Sequence, residues 1–507
     1  MDHIGRRAFL KGGIGVAAGA AFAGPFQGFV AHAAGAAPSK VPNLGPLGPV
    51  ADARDGVVRL HLPPGFQYRS FHDNQAVPKP TLAGGAFVPG RHDGMAAFAG
   101  PTSGTVILIR NHEINSFGAP FAAGVPVYDA RGPGGTTSTV VDLQGNVQSA
   151  VASLTGTQMN CAGGRMPWGA WVSCEETVNG PDVFDDFTRA TVSPPGAPDT
   201  YVQNKELLQK HGFIFEVPVS GAASAQPITH AGRFPHEAVA YDPKDGVLYL
   251  TEDDFGFPSG FYQYVPPVHP GRAGRIQDGG HLFMLAVEGR PNIDLSATQD
   301  PRAQFKVRWI PIDNPNPTYP MTTDPVRGVI PTVTNDQALH AVAEQGWADG
   351  AARFSRLEGA VYDGNVVYFC STQGAGTPED PDISTARPTG YGKGAGQIWA
   401  YHTRSRKLSV VFQSPGRNVL DFPDNATTTK KGTIILCEDN TDFNFLRGLT
   451  PKGELFDLAV NQIMTPSNRT GDEFAGATFS PDFSTLFVNI QASNGMSFAI
   501  WGPWDKV

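Results

Sequence analysis

Short runs in which apolar and polar residues alternate recur along the whole chain, and Gly, Pro, Asn and Asp bound them. Alternation with a period of two indicates β-strands, whereas few windows show the apolar spacing of a helix. The clearest unit is HEAVAYDPKDGVLYLTEDD at 236–254, where a turn joins two apolar strands. This unit begins with a histidine and a glutamate and ends with acids. The pattern predicts a β-hairpin whose two open ends are both polar.

Five further hairpins align with this unit, and each carries polar residues before its first strand and after its second. They lie at 91–113, 160–176, 358–372, 423–440 and 473–491. Additional short strands such as GFIFEVP and GQIWAYH lie between them. Six similar hairpins separated by further strands predict an all-β fold, a six-bladed β-propeller. In such a fold the equivalent ends of all hairpins converge on one mouth of the central channel.

Two segments interrupt the pattern and are predicted to be helical and loop insertions that cover one face. The first, at about 291–354, is Pro-rich and contains one predicted helix from about Asn335 to Ala351, with a capping-type start at Thr334. The second, at about 179–210, includes PDTYVQNKELLQK and is predicted to be partly helical. Excursions along the surface, away from the mouth, are the alternative for both segments.

The first 33 residues have the pattern of an export signal. GRRAFLKGG at 5–13 precedes a mild Gly/Ala-rich apolar run, and Ala-His-Ala at 31–33 offers a cleavage site. Paired arginines in this setting resemble a twin-arginine (Tat) signal. We therefore expect the Tat machinery to deliver a single domain, 34–507, to the periplasm or the extracellular space. An uncleaved anchor helix is the alternative, but so many glycines and alanines make a poor membrane span.

Charge and composition narrow the possible partners. The chain has a formal net charge of −9, and removal of the basic signal would make the remainder more acidic still. Such a chain is a poor match for nucleic acid or an anionic membrane but can bind cations. No other stretch reaches 18 apolar residues, so we expect no stable membrane anchor. We expect a monomer whose partner is a small molecule.

The hairpin alignment separates the four cysteines into two kinds. Three occupy the same position, just before the polar end of a second strand: Cys174, Cys370 and Cys437. Their burial as small hydrophobes is explanation enough. Cys161 instead begins its hairpin, where other hairpins carry Glu237, Glu358 or Glu473. A thiolate at that position is best explained as a metal ligand, with a catalytic cysteine or a disulfide to Cys174 as the alternatives.

Many carboxylates should converge on the same mouth. They are Glu113, Glu175, Glu176, Glu237, Glu252, Asp254, Glu358, Asp424, Glu438, Asp439 and Glu473. So many acids in one small site would need multivalent cations to offset their repulsion, although ordinary solvated turn acids are the alternative. A thiolate with carboxylates favours iron or another transition metal, and an all-oxygen set favours calcium.

Arg356 precedes Glu358 by two residues, so the two side chains share one face of a strand. An arginine among carboxylates and metals suits a phosphate-like oxyanion, and a charge-balancing salt bridge is the alternative. No G-x-S-x-G elbow, P-loop or GxGxxG follows a suitable strand, which argues against serine hydrolases and nucleotide-binding folds.

The chain resembles the PhoX family of alkaline phosphatases in motifs that follow in order from about Asn111 to Gln491. These motifs include NCAGGRMPWGAWVSCEE, GRFPHEAVAYDP, EGAVYD, GQIWAY, GLTPKGELF and EFAGATFSPDFSTLFVNIQ. The Tat-type start is also similar. The resemblance implies a six-bladed propeller with an iron–calcium cluster, ligated by one cysteine and several carboxylates, that hydrolyses phosphomonoesters.

The resemblance also implies roles for individual residues. Cys161, Glu237 and Glu358 would be ligands of iron (Fe³⁺), and Arg356 would contact the phosphate. Arg469 is the candidate for a second basic phosphate contact. Calcium ligands would come from a pool of seven acids: Glu113, Glu175, Glu176, Asp254, Glu438, Asp439 and Glu473. Met166 departs from the family, which has a threonine in this run.

The sequence therefore predicts an exported, metal-dependent alkaline phosphatase. Two other hypotheses stay open. A calcium-dependent propeller lactonase would need neither Cys161 nor Arg356, and a non-catalytic binding module would use calcium for structure alone.

Overall fold

Antiparallel β-strands dominate the computed structural model of the protein, which describes residues 42–184, 207–221, 223–325 and 328–507. The predicted signal at 1–33 lies outside these ranges, as does most of the predicted insertion at 179–210. Within the described ranges, none of the helices is long and apolar enough to cross a membrane.

Most strands pair with their neighbours in the chain, and six groups of four strands form the blades. The chain first forms β1 (Gly48–Ala51), β2 (Val58–Leu62) and β3 (Gln67–Phe71). Blade 1 then comprises β4 (His92–Ala99), β5 (Thr105–His112), β6 (Gly134–Asp142) and β7 (Val147–Thr157). Blade 2 comprises β8 (Asn160–Met166), β9 (Ala170–Glu175), β10 (Ile214–Pro218) and β11 (Pro227–Ile228). Blade 3 comprises β12 (His236–Asp242), β13 (Val247–Glu252), β14 (Phe261–Val265) and β15 (His281–Val287).

An insertion separates blade 3 from the second half of the ring. It contains β16 (Phe305–Pro311), β17 (Met321–Asp324) and β18 (Gly328–Pro331). Blade 4 comprises β19 (Leu357–Asp363), β20 (Val366–Ser371), β21 (Gln397–His402) and β22 (Lys407–Gln413). Blade 5 comprises β23 (Pro423–Thr428), β24 (Ile434–Glu438), β25 (Phe445–Leu449) and β26 (Leu455–Asn461). Blade 6 comprises β27 (Glu473–Phe479), β28 (Thr485–Gln491) and β29 (Met496–Trp501), joined by β3.

The described helices are short. They are α1 (Pro270–Ala273), α2 (Asn335–Leu339) and α3 (Ala341–Ala348), with 3₁₀ turns at Thr229–Ala231 and Trp504–Lys506.

The six blades close into a ring. Their first strands contact one another in the order β4, β8, β12, β19, β23 and β27, and β27 contacts β4 again. The early strand β3 pairs with β29 as the last strand of blade 6, so the two ends of the chain close the ring together. The predicted all-β propeller is confirmed, and the blade number agrees with the six hairpins recognised in the sequence.

The first strands crowd around the axis, and their small residues make this possible. They line a central channel of about 360 Å³ whose walls include Gly94, Ala162, Ala238 and Gly359. A Cβ atom at Gly94 would lie 2.6 Å from the Cα of Ala162, and one at Gly359 would lie 2.6 Å from the carbonyl oxygen of Asp424, so a larger side chain there would clash with the neighbouring first strand. The composition of these strands therefore follows from the ring geometry.

Each first strand carries a β-bulge, in which two of its residues face one residue of the second strand. The residue pairs just before the bulge are His92↔His112, Asn160↔Glu175, His236↔Glu252, Leu357↔Ser371, Pro423↔Glu438 and Ala475↔Asn489. The first bulge residues are accordingly Asp93, Cys161, Glu237, Glu358, Asp424 and Gly476. Bulges re-aim side chains and recur beside active sites, so these six positions mark one end of the axis.

The register corrects the predicted position of Glu473. The sequence aligned this residue with Glu237 and Glu358, but β27 runs on from Glu473 through two further paired residues before its bulge begins. Gly476, with φ +61°, therefore occupies the equivalent position in blade 6. A bulge is fixed by pairing with the neighbouring strand, which a simple sequence alignment does not contain.

The insertion at 291–354 has two parts with different roles. Strand β16 pairs with β15 and, through Phe305 and Lys306, with β22, so it bridges blades 3 and 4. The predicted long helix is instead two helices that break at His340, whose ψ of 3° is not helical. The predicted start is confirmed, because Thr334 caps α2 in a capping box with Gln337.

Helix α2 lies near the end of blade 2. Its Ala338 and Leu339 pack with Val178 and Val183, which follow closely after Glu176 in the chain. The amide of Asn335 donates a hydrogen bond to Asn179 Oδ1 at 3.2 Å. This part of the insertion therefore covers the chain segment that leaves Glu176.

We expect Gly476→Ala to destabilise the fold strongly. A Cβ atom at this glycine would lie 2.2 Å from the carbonyl oxygen of Asp93, and the φ of +61° is itself unfavourable for alanine. Gly169→Ala is the matched control, since its φ is +84° but a Cβ atom added there would have no neighbouring atom within 4 Å. The control should lose ~1–2 kcal/mol of unfolding free energy from backbone conformation. Gly476→Ala should lose a further ~1–3 kcal/mol because of the clash in the folded state. Urea denaturation measures both losses. Equal losses would contradict this account of the bulge.

Candidate metal centre

Four of the six bulge residues meet near the axis together with Glu176. Among the described residues, one group joins the Cys161 sulfur with carboxylate oxygens of Glu176 and Glu237, all within 4.8 Å of one another. A second group joins oxygens of Glu237, Glu358 and Asp424 within the same distance. Glu237 belongs to both groups, so the two candidate sites are adjacent. The groups are buried, with only Glu176 partly exposed.

The donor chemistry of these groups fits metal ions. Burial raises the pKa of Glu358 well above its ordinary value, and the carboxylates of Asp253, Asp424 and Glu237 add to this effect. Burial likewise raises the pKa of the Cys161 thiol, followed by the influence of Glu237 and Glu176. A multivalent cation would offset this repulsion. The thiolate-containing group suits a transition metal and the all-oxygen group suits calcium or a similar hard cation.

The two adjacent glutamates at the end of β9 have different surroundings. Glu176 belongs to the candidate metal group, whereas the buried Glu175 carboxylate is held by donors elsewhere. It accepts hydrogen bonds from the backbone N–H groups of Gln158, Gly212 and Phe213 at 2.9, 2.9 and 3.2 Å. His211 Nδ1 lies 2.6 Å from the same carboxylate. Neighbouring residues of an extended chain point in opposite directions, which explains why only Glu176 of this pair joins the group.

Glu113 and Glu438 are held by protein donors. Gln491 Nε2 donates to Glu113 at 2.5 Å and also to Asp93 at 2.6 Å, which links Glu113 to the bulge residue of blade 1. Glu438 accepts from Arg447 Nε at 2.9 Å and from backbone N–H groups. Burial raises the pKa of Glu438 to about 7, while Arg447 opposes this rise. Neither acid belongs to the two metal groups described above.

The remaining acids of the predicted calcium pool also lie outside these two groups. Asp254 is buried and accepts from the backbone N–H of Gly256 at 3.2 Å. Asp439 is buried at the end of blade 5, where its N–H donates to the carbonyl of Phe422. Glu473 is paired in register with Gln491 at the start of β27.

Two arginines were predicted to contact phosphate, and the structure places them differently. The buried Arg356 donates to both carboxylate oxygens of Asp253 at 3.0 and 2.9 Å and to Glu358 at 2.8 Å. It therefore lies directly beside the second metal group. Arg469 is occupied by Asp472 at 2.6 Å, the carbonyl of Asn494 at 2.6 Å and the side chain of Gln75 at 3.2 Å. These contacts tie Arg469 to the local loop structure.

Arg356 also has an unusual backbone conformation. Its φ is +40°, in the left-handed region that a side chain other than glycine rarely adopts. Such strain costs of order 1–3 kcal/mol and persists where surrounding contacts enforce it. The bidentate pair with Asp253 and the contact with Glu358 are such contacts, and they fix the guanidinium at the cluster.

Sequence reasoning missed Asp93 and Asp253 and left Asp424 outside the predicted ligand pool. A shared signal could have found two of them. In five blades the bulge residue is an acid or cysteine followed by a small or amide residue, as in Asp93-Gly94 and Asp424-Asn425. Asp253 had no such signal, because its role depends on Arg356 from the next blade.

All four cysteines lie in the described ranges as buried free thiols. The proposed packing position of Cys174, Cys370 and Cys437 agrees with this burial. A disulfide between Cys161 and Cys174 is not formed.

A buried histidine anchors Glu175. His211 lies between Glu175, 2.6 Å from Nδ1, and Asp129, 3.4 Å from Nε2. Burial alone would lower the pKa of His211, but the charge of Glu175 and the hydrogen bonds to Asp129 and Glu175 raise it to about 9. Asp129 also accepts the backbone N–H groups of Leu208 and Gln209, at 2.7 and 2.8 Å. This chain of contacts fixes the described end of the second insertion to Asp129 in the β5–β6 loop of blade 1 and to Glu175 of blade 2.

Comparison with known proteins identifies related sequences and folds. A family model described as "Alkaline phosphatase PhoX" matches residues 45–151 and 129–494. No curated protein sequence matches the chain. Among solved structures, the chain is similar to Pseudomonas fluorescens PhoX in complex with vanadate, a transition state analogue. The identity is 18% over 91% of this chain and 98% of that chain, with a TM-score of 0.58.

More distant similarities involve other enzymes. Staphylococcus aureus virginiamycin B lyase is 10% identical over 86% of this chain and 99% of that chain, with a TM-score of 0.37. The periplasmic gluconolactonase PpgL of Pseudomonas aeruginosa is 12% identical over 82% and 92%, with a TM-score of 0.33.

We expect the stability contributed by His211 to depend on pH. The folded-state pKa of about 9 exceeds the ordinary value of 6.5, so the protonated ring stabilises the folded state. This contribution is complete below pH 6.5 and disappears as pH rises through about 9. His211→Gln should therefore lower the free energy of unfolding more at about pH 6 than at about pH 10, as measured by urea denaturation.

His230→Gln is the control, because the pair of His230 with Asp278 is exposed to solvent. It should change the unfolding free energy little at either pH. A pH-independent difference between wild type and His211→Gln would show that the buried ring is neutral.

Proposed function

The chain belongs to the PhoX family of alkaline phosphatases, and we propose that the two groups sharing Glu237 form its catalytic metal centre. The family makes the protein a metal-dependent hydrolase of phosphomonoesters. The observation that carries the proposal is the position of Arg356, which hydrogen-bonds Glu358 of the second group. A phosphate bound at the metals would thus meet a guanidinium group.

We propose iron (Fe³⁺) for the group with Cys161, Glu176 and Glu237, because a thiolate suits a transition metal. Calcium suits the oxygen ligands of Glu237, Glu358 and Asp424. The resemblance implied Glu358 as a third iron ligand, but its oxygens group with those of Glu237 and Asp424 and not with the Cys161 sulfur. Asp93 and Glu113, joined through Gln491, are candidates for a further cation.

When bound, the cations would neutralise phosphate charge and act as Lewis acids. The protein supplies orientation and charge. Arg356 would donate hydrogen bonds to the phosphate oxygens and stabilise the negative charge that they carry in the transition state. Asp253 would keep the guanidinium in place through its two hydrogen bonds. Because both residues are buried, water competes little for these contacts and their electrostatic effect is strong.

Export by the Tat machinery, to the periplasm or beyond the cell, remains part of the proposal. It rests on GRRAFLKGG at 5–13 and the apolar run that follows. The Tat route transports folded proteins, which would allow metals to bind before export.

The first test measures metals and phosphatase activity together. The purified mature protein should contain iron and calcium, hydrolyse p-nitrophenyl phosphate and lose activity when a chelator is added. Vanadate should inhibit it, since the similar solved structure is that of Pseudomonas fluorescens PhoX in complex with vanadate, a transition state analogue. Calcium alone, with lactone hydrolysis and no phosphatase turnover, would overturn the proposal.

Cys161→Ala should remove iron and lower kcat by at least ~10²-fold, since even residues that support metal ligands cost about 10- to 100-fold. Cys174→Ala is the matched control, a second fully buried cysteine in the same blade. It should keep its metal and most of its activity. If both variants behave alike, Cys161 is a packing residue.

Arg356→Ala should lower kcat/KM by about 10²–10³-fold at unchanged metal content, because it removes a preorganised donor to the transition state. Asp253→Asn should raise KM roughly tenfold, since it weakens a charged hydrogen-bonded pair that orients Arg356. Asp300→Asn provides the control, because it breaks an Arg–Asp pair that is largely exposed. Unchanged kinetics in Asp253→Asn would remove Asp253 from the site.

A further inference from the structure

The second strand of each blade lies against the bulge of the next blade around the ring. One position of the second strand lies opposite the bulge of its own blade, directly before the residue of that strand that pairs ahead of the bulge. It is occupied by Asn111, Cys174, Thr251, Cys370, Cys437 and Val488. The asparagine in blade 1 and the threonine in blade 3 make hydrogen bonds to the bulge of the next blade.

Asn111 makes the fullest of these contacts. Its Nδ2 donates to the carbonyl oxygens of both bulge residues of blade 2, Cys161 and Ala162, each at 2.7 Å. Its Oδ1 accepts from Trp171 Nε1 at 2.9 Å. The indole can only donate and the carbonyls can only accept, so this set of partners fixes the orientation of the amide. Asn111 is fully buried.

The same position works in a similar way in blade 3. Thr251 Oγ1 donates to the carbonyl oxygen of Glu358 at 2.6 Å, which is the bulge residue of blade 4. Two separate blades therefore hold a bulge of the metal centre through a polar side chain from the preceding blade. The contact of Asn111 is the more extensive, because it engages both bulge carbonyls.

These contacts matter because the residue pairs between β8 and β9 include neither Cys161 nor Ala162. Their carbonyls need donors from outside the blade, and buried carbonyls without donors are costly. Asn111 supplies two such donors and thereby fixes the backbone that aims the Cys161 sulfur. Without Asn111 the bulge would rearrange to find other donors.

We propose that Asn111 is a positioning residue for Cys161, which holds the thiolate in place for metal binding. The inference rests on the proposed function of Cys161 as a metal ligand. It requires no contact between Asn111 and the metal or the substrate.

The test compares iron binding by metal-stripped wild-type protein and by Asn111→Ala, titrated with chelator-buffered iron. We expect the variant to bind iron about 10- to 100-fold more weakly and to lose or shift the thiolate-to-iron charge-transfer absorbance. Asn111→Thr, which copies the residue found in blade 3, can donate one hydrogen bond and should bind with intermediate affinity. It also serves as the test variant if Asn111→Ala does not fold.

Asn461→Ala is the matched control. Asn461 is a fully buried asparagine on β26, the last strand of blade 5. It has the same set of bonds, donating to the carbonyls of Arg469 and Asp472 at 2.8 and 3.0 Å and accepting from Ile463 N–H at 3.0 Å. This variant should lose comparable stability and keep wild-type iron affinity and absorbance.

The outcomes separate the two hypotheses. Wild-type iron affinity and absorbance in a folded Asn111 variant would overturn the role of Asn111 while leaving Cys161 as a ligand. Equal weakening in Asn111→Ala and Asn461→Ala would also overturn it, because the effect would then follow general stability. Wild-type protein that binds iron no better than Cys161→Ala would instead refute the proposed function of the cysteine, and the inference with it.

Discussion

Repulsion between buried carboxylates at the propeller axis is the constraint on which the rest of this structure depends. Glu237, Glu358 and Asp424 bring their oxygens within 4.8 Å of one another at a site that water barely reaches. Isolated charges would be too costly there, so the site requires cations or protons. The closed ring of blades, the bulges and the buried hydrogen bonds are the features that hold these acids together. Arg356 compensates part of the charge and supplies the group that a phosphate would meet.

The structure distinguishes acids that are held by hydrogen bonds from the protein from acids that face one another at the bulges. Glu175 accepts three backbone N–H groups and lies 2.6 Å from the His211 ring, and Glu438 is paired with Arg447. These carboxylates stabilise connections between strands and would gain little from a metal. The acids at the bulges instead face one another. Acids that look alike in sequence thus differ in the donors that tertiary structure brings to them.

Much of the fold could be predicted because its signals are local. The alternating strands and the turn residues of one hairpin lie within about 20 residues of the chain, and this pattern predicted the hairpins and hence the blades. The distinction between Cys161 and Cys174 also came from position within a hairpin. What could not be predicted depends on contacts between distant segments. The bulge at Gly476, the partners of Glu175 and the pair of Asp253 with Arg356 are of this kind. A strand pattern does not specify where a ladder skips a residue or which blade supplies a donor.

The pairing of β3 with β29 imposes an order on assembly. These strands lie near opposite ends of the chain, so their encounter carries a large loop-closure cost and comes late in folding. All the residues of the two candidate metal groups belong to blades 2 to 5, which can associate while the ring is still open. Cations could enter this half-built channel from the side, and the final strand would then seal a centre that is already loaded.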